Sequence, residues 1–426
     1  MDSLTGLSGQ RVLVVGLGVS GRASVDLLIS DGALVTGYDD RTDKTSMSML
    51  TEYDYLVVSP GIAPDHLLYN GALQMGIPVI GEAELAMRCL AGRRAVGITG
   101  TNGKTTVTLL TEHFLRGAGY PAVPMGNVGT PFSEIYRQRA DAVIVGEFSS
   151  FQLETLAAPC LDAAVVLNIT PDHLDRYRDL DHYAEAKLHI GLCLRRSGVL
   201  YLHETVFEKY GDIVQGVAVK TIGWDRKCDV TVVRDAVVID GIEEARLPDL
   251  LRGKSGHEVT NYLAAYVLAR SITGSNTRRY NLSDFSMPPH RLQYVTTING
   301  IDYYDDSKGT NLDAVIHAVN SLHQPIVLLA GGKHKGASYG SWIECFAGKV
   351  KHVVAFGEAA QAVVSDLAGM CAVSRVETLD QAVSVARKYA REGDAVLLSP
   401  GCSSFDQFRD YVARGEHFQQ VVKGLC

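Results

Sequence analysis

Short apolar runs alternate with longer stretches in which apolar residues recur every three or four positions, and this alternation opens three times along the chain. Arg11 to Val15 reads as a strand, Arg22 to Ser30 as a helix and Ala33 to Tyr38 as a second strand, which is the start of a β-α-β unit. Another strand, Tyr55 to Ser59, stops at Pro60-Gly61. The grammar restarts after Gly92-Arg93-Arg94, with strands at Ala95 to Thr99, Ala142 to Val145 and Ala163 to Leu167 and a helix over Thr105 to Arg116. Lys220 to Arg246 alternates Val and Ile with polar residues and predicts a small antiparallel patch in this second region. A third restart follows Pro288-Pro289, with strands at Ile326 to Ala330, His352 to Phe356 and Ala395 to Ser399 and a helix over Leu379 to Arg391. Strands separated by helices predict open parallel sheets covered by helices, so the expected class is α/β in three domains over 1–91, 92–287 and 288–426.

Length agrees, because 426 residues exceed one ordinary core of about 150. A content of 46% hydrophobic and 21% charged residues is that of a folded globular chain. The 40 basic and 48 acidic residues leave a net charge of -8 with no long basic run, which speaks against a nucleic-acid or anionic-membrane partner. Any anionic ligand must then be held by local features. Eight cysteines lie far apart without a C-x-x-C pair, which predicts reduced thiols in cytoplasm and no zinc knuckle or disulfide framework. No window approaches 18 uninterrupted apolar residues, so neither export nor membrane spanning is expected.

Chemistry gathers at the strand ends. Gly16-Leu17-Gly18-Val19-Ser20-Gly21 is a G-x-G-x-x-G turn between strand and helix, and Asp39 or Asp40 follows about twenty residues on. Such a turn suits a dinucleotide cofactor, another phosphate-bearing ligand, or a tight structural turn. A second glycine-rich turn, Gly97-Ile98-Thr99-Gly100-Thr101-Asn102-Gly103-Lys104-Thr105-Thr106, also joins a strand to a helix. Its backbone N–H groups can cradle phosphate, Lys104 can neutralise charge on the terminal phosphates, and the Thr105 hydroxyl can ligate Mg²⁺. Neighbouring strands end in Glu147 and in Asp172, His173 and Asp175. Glu147 suits a metal carboxylate, with a cap or an ion pair as its alternative, and His173 is the less obvious ligand. Lys187 reads from its surroundings as an exposed helix lysine. Asp305-Asp306-Ser307-Lys308 and Pro289-His290-Arg291 place acid, hydroxyl, ammonium and guanidinium where a nucleotide or acyl phosphate could meet them. The loops Gly331 to Gly336 and Ser399 to Phe408 offer a cation and hydroxyls suited to an amino-acid carboxylate.

Gly100-Thr101-Asn102-Gly103-Lys104-Thr105, Asn168-Ile169-Thr170-Pro171-Asp172-His173, Asp306-Ser307-Lys308 and the three-sheet layout together resemble the Mur ligases over nearly the whole chain. Within that family, the first glycine turn with Ser59-Pro60-Gly61-Ile62, Ser149 to Glu154, Gly331-Gly332 with Lys335, and Phe405-Asp406-Gln407-Phe408 are similar to the branch that adds D-glutamate. The resemblance implies Rossmann-like N- and C-terminal domains around a central P-loop ATPase-like sheet. It implies a monomeric cytoplasmic ligase that joins D-glutamate to UDP-N-acetylmuramoyl-L-alanine through an acyl phosphate, a step of peptidoglycan precursor synthesis that serves cell-wall biogenesis, cell shape and division. ATP would be held by Gly100 to Thr106 with Asn261, Arg291 and Asp306. The UDP moiety would lie against Gly16, Leu17, Gly18, Val19, Ser20, Asp39, Arg41, Ser59, Pro60, Gly61 and Asn127, and the amino acid against Lys335, Ser404, Phe405 and Tyr411. Two Mg²⁺ ions would take Thr105, Glu147, His173 and a carbamate formed on Lys187, with Lys104, His173, Lys187 and Lys308 as the catalytic set. The family's H-N-x-x-N pattern departs here to His257-Glu258-Val259-Thr260-Asn261, and Tyr411 stands where Phe is usual. Another Mur-type amino-acid ligase, or a dinucleotide-dependent oxidoreductase using the first turn, are the alternatives.

Overall fold

The computed structural model describes the chain except residues 1–3, 44, 91, 175, 253–255, 275–281, 283, 287–288, 335, 337, 370 and 426. The described residues form three sheets. The first is β1 (Arg11–Val15), β2 (Leu34–Tyr38), β3 (Tyr55–Val58) and β4 (Val79–Gly81), all parallel, in the order β2-β1-β3-β4. The second comprises β5 (Ala95–Thr99), β6 (Ala122–Gly126), β7 (Val143–Glu147), β8 (Leu161–Val166), β9 (Leu194–His203), β10 (Ala218–Ile222), β11 (Val230–Val233), β12 (Ala236–Ile239) and β13 (Ile242–Arg246), in the order β13-β12-β11-β10-β9-β8-β5-β7-β6. The third is β14 (Gln293–Ile298), β15 (Ile301–Asp305), β16 (Ile326–Gly331), β17 (Val350–Phe356), β18 (Val373–Arg375) and β19 (Ala395–Gly401), in the order β14-β15-β19-β16-β17-β18.

The central strands are continuous apolar runs because both faces are covered: β5, β7, β16 and β19 are buried throughout. The expected patch at Lys220 to Arg246 is antiparallel only from β11 onward, since β10 pairs parallel with β9 and with β11. It extends the large sheet instead of standing apart from it. The pattern reading also passed over the helix Gly256–Thr273, whose run from Tyr262 to Ala269 is buried without interruption. A helix apolar all round carries no 3.6-residue stripe to recognise. Among the described residues no helix is long and apolar enough to cross a membrane.

The chain divides into two compact units, Met1–Ile169 with Asp181–Phe285, and Thr170–Leu180 with Ser286–Cys426. In the first unit one apolar cluster runs from Val12, Val14 and Leu27 through Ile80 and Leu85 to Phe132, Phe148 and Leu161, joining the first two sheets. Glu84 strengthens this joint, its carboxylate accepting the Ala157 and Ala158 N–H groups at 2.9 Å each. The second unit is packed on both faces of its own sheet, with Trp342, Phe346 and Leu397 on one side and Tyr303, Phe356 and Phe418 on the other.

Candidate functional site

In open α/β sheets ligands collect at the carboxyl ends of strands where the strand order reverses. Each of the three sheets has such a point: between β1 and β3, at β5 with its neighbours β8 and β7, and at β19 with its neighbours β15 and β16. The sequence-derived candidates fall at these points.

After β1 the chain turns at Gly16 (φ 87°), whose carbonyl accepts the Ser59 hydroxyl at 2.6 Å from the end of β3. A Cβ on Gly21 would stand 1.9 Å from that same carbonyl, so the turn and the helix Val19–Ser30 approach as closely as glycine permits. Gly18, at the helix start, faces open space and has no side-chain cap, which leaves the helix N-terminus suited to an anion. Asp39 accepts the Leu17 and Arg41 N–H groups at 3.1 Å each, and Arg41 Nε and Nη2 at 2.7 Å each. That uses the roughly four acceptor positions of a carboxylate. The Arg41 guanidinium holds the Asp39 carboxyl well below the usual carboxylate range. Asp39 therefore orients Arg41 and the turn, whereas a dinucleotide enzyme needs this acid open to a ribose diol.

At the second point, β5 leads through Gly100 (φ 148°) and Gly103 (φ 83°) into the helix Lys104–Gly117. Lys104 Nζ folds over the turn, donating to the Gly100 and Thr101 carbonyls at 2.8 Å each. Asn168, just past β8, clasps the turn from outside. Its Oδ1 accepts the Asn102 N–H (2.7 Å), its Nδ2 donates to the Asn102 carbonyl (3.1 Å), and its own carbonyl accepts the Thr101 N–H (2.9 Å). Asn261 comes so close that a Cβ on Gly103 would lie 2.5 Å from its Oδ1. Thr105 and Thr106 are buried in the first helical turn. Glu258 is exposed on the first turn of Gly256–Thr273, where a carboxylate suits the helix dipole.

Glu147 ends β7 opposite Ile98 of β5. It is 1% exposed, its Oε1 accepts Asn127 Nδ2 at 2.9 Å, and its Oε2 has no hydrogen-bond partner among the described residues. A buried carboxylate oxygen left open at a strand end beside a phosphate-type turn fits a divalent cation. Lys187, expected on the surface, is 1% exposed. Its Nζ donates to the Gly100 carbonyl at 2.9 Å and stands 4.5 Å from the Tyr183 ring centroid. A single helix sequence does not reveal that the neighbouring glycine turn roofs this lysine. His173 belongs to the segment 170–180 of the second unit, adopts φ 55°, and donates its backbone N–H to Asp172 Oδ1 at 3.0 Å. Among the described residues no three His, Cys, Asp or Glu side chains gather into a metal cluster.

The third point brings together the loops after β15, β19 and β16. Asp306 is buried, its Oδ2 accepting the Ser399 hydroxyl at 2.6 Å and its Oδ1 the Leu292 N–H at 3.1 Å. Burial pushes its carboxyl up to about 7. Leu292 (φ 43°) and His290 (φ 64°) are strained non-glycine positions on either side of Arg291. His290 is held by Asp305 at 2.7 Å, and a Cβ on Gly415 would come within 2.2 Å of it. Lys308 Nζ lies 4.0 Å over the Tyr411 ring. Ser404 is buried and Phe405 is exposed; Lys335 lies outside the described residues. Sequence reasoning missed the clasp of Asn168, the His290–Asp305 pair and the buried Arg414. Each acts on a neighbour distant in sequence, so no local signal announces it.

Known proteins match this chain throughout. The Mur ligase middle domain matches residues 98–269 and the Mur ligase, glutamate ligase domain matches 290–402. A UDP-N-acetylmuramoylalanine--D-glutamate ligase of Protochlamydia amoebophila is 42% identical, with 98% of each chain covered. In fold, the chain is similar to a UDP-N-acetylmuramate-alanine ligase of Thermotoga maritima (TM-score 0.61, 17% identity, 98% of this chain and 100% of the other). It is also similar to a ligase from the same organism, called MurF and solved with ADP (TM-score 0.60, 14% identity, 100% of each).

Proposed function

We propose, from the premise that this chain belongs to the Mur ligase family of ATP-dependent amide-bond ligases, that it joins D-glutamate to UDP-N-acetylmuramoyl-L-alanine in the synthesis of peptidoglycan precursor. The observation that carries the chemistry is the turn Gly100 to Thr106, clasped by Asn168 and Asn261 and lying beside the open Oε2 of Glu147. The relatives' name carries the choice of amino acid, and the saturated Asp39 disfavours the dinucleotide alternative.

A carboxylate resists an amine because oxide is a poor leaving group. The substrate's alanyl carboxylate oxygen therefore first attacks the γ-phosphorus of ATP, expelling ADP and giving an acyl phosphate. The amine of D-glutamate then adds to the acyl carbon, the tetrahedral species loses inorganic phosphate, and the nitrogen gives up a proton. Catalysis of the first step is mainly positioning and electrostatics. The N–H groups of the turn cradle phosphate and Lys104 shifts its charge from the turn's carbonyls onto the terminal phosphates. Arg291 and Asp306 contact the nucleotide, Lys308 faces the acyl phosphate, and Ser404, Tyr411 and Lys335 receive the amino acid. The first turn, with Arg41, Ser59 to Gly61 and Asn127, receives the UDP-sugar. Thr105, Glu147, His173 and Lys187 as its carbamate would hold Mg²⁺, which when bound neutralises charge on the phosphates. Carbamylation suits the surroundings of Lys187, because a carbamate keeps one N–H for the Gly100 carbonyl. The reaction belongs to the cytoplasm, where its nucleotide substrates are made.

The test is ADP formation by the intact chain with UDP-N-acetylmuramoyl-L-alanine and D-glutamate, alone and together. Turnover should require both; ADP formed equally with neither, or with L-lysine or diaminopimelate in place of D-glutamate, would sink the assignment. Lys187→Ala should abolish turnover, and a fully active variant would remove the carbamate.

A further inference from the structure

Arg414, in the first turn of the helix Tyr411–Lys423, is 0% exposed, yet among the described residues it makes no ion pair. No carboxylate of the described residues touches this buried guanidinium, although Asp406, Asp305 and Asp306 lie near enough to favour its charge, so its hydrogen bonds must offset the rest of the cost of burial. Its donors go to two loops. Nε donates to the Ser307 hydroxyl oxygen at 3.0 Å, Nη2 to the Ser307 carbonyl at 2.8 Å, and Nη1 to the Cys402 carbonyl at 3.1 Å. The Ser307 hydroxyl spends its own proton on the Tyr411 carbonyl at 2.8 Å, so its lone pairs face Arg414. The third loop passes against the same group, since a Cβ on Gly332 would lie 3.0 Å from Nη1, and Lys333 N–H donates to the Ser403 carbonyl at 2.8 Å. Tyr411, one turn earlier on the same helix, puts its ring under Lys308.

We propose that Arg414 is a positioning residue: its planar fork locks the loops after β15, β19 and β16 into one amino-acid pocket and fixes Lys308 beside it. The inference rests on the reading of Ser404 and Tyr411 as amino-acid contacts. Nucleotide contact is separate, because Asp306 is held by Ser399 and Leu292 and not by Arg414. Lysine cannot replace the fork, having one nitrogen in place of three.

In the full chain, Arg414→Lys should lower the melting temperature, because buried carbonyls lose their donors, and should raise KM for D-glutamate at least tenfold while leaving KM for ATP within threefold. Equal rises in both constants, or no change in a folded variant, overturn the proposal. Should Arg414→Lys not fold, Ser307→Ala decides: it removes one of the fork's acceptors and should raise the D-glutamate KM about threefold, and an unchanged value counts against the clamp. A readout independent of turnover is amide hydrogen exchange. Exchange at Lys333, bonded to Ser403, should speed at least tenfold in Arg414→Lys while that at Asp306, bonded to Leu398 at 2.7 Å, stays put. If the wild-type chain makes no ADP with D-glutamate, the proposed function fails, and the exchange result still judges the clamp.

Discussion

Glu147, which ends β7, and Glu82, which opens the helix Glu82–Arg88 after β4, are both buried carboxylates, and their surroundings assign them opposite work. Glu147 keeps one oxygen open beside the phosphate turn, so Glu147→Gln should weaken the Mg²⁺ dependence of ADP formation and cut kcat about 10²-fold, the equivalent of losing about 2.7 kcal/mol of charge stabilisation. A variant with wild-type kcat and metal response would remove Glu147 from the metal site. Glu82 accepts the Ser133 N–H at 2.7 Å within the joint of the first two sheets, and burial pushes its carboxyl from 4.5 up to about 7. The folded chain thus holds a proton there that the unfolded chain releases. Stability from this group is full below about pH 4.5 and is lost as pH rises toward 7, at about 1.4 kcal/mol per pH unit. Glu82→Gln, which keeps the shape, should therefore melt above the wild type at pH 8 and no higher at pH 5; the reverse order across the pH series would refute the assignment. At this scale the sequence was only partly legible. Glu147 could be proposed from its place after an apolar strand, whereas Lys187 looked like a surface lysine because its roof, the Gly100 carbonyl, comes from 87 residues away.

The turn from β5 into the helix Lys104–Gly117 shows how much a local element can carry. Gly-Lys-Thr opening a helix after an apolar strand identified it without any fold, because the phosphate cradle is made of consecutive backbone groups. Its rigidity is a tertiary matter. Gly103 needs its positive φ and has no room for a Cβ against Asn261, so Gly103→Ala should cost about 1–3 kcal/mol of stability and weaken ATP binding at least tenfold by titration calorimetry. A helix outside the site supplies the contrast. Thr378 closes a capping box with Gln381 on the helix Leu379–Tyr389, and Thr378→Ala should cost about 1 kcal/mol in denaturant unfolding without touching ATP affinity. Boundaries of strands such as β1 and β5 were legible to the residue, since a buried parallel strand is a continuous apolar run. The helix Gly256–Thr273 was not, because burial on every side erases its period.

Across the whole molecule, two compact units with their own cores predict two transitions in scanning calorimetry. UDP at about a hundred times its dissociation constant should stabilise the transition of the first unit by about 2.7 kcal/mol and leave the second in place. A single transition shifted as one would contradict this. The sequence by itself determined the α/β class, the three sheets, the strand-end turns and the kind of chemistry they support, because each is written in neighbouring residues. Only the tertiary structure decided that Lys187 and Arg414 are buried, that Asp39 is saturated by Arg41, and that the sheets of the first unit share one apolar cluster. Those facts depend on which distant segments pack together, and packing partners far apart in the chain leave no local pattern for a sequence to show.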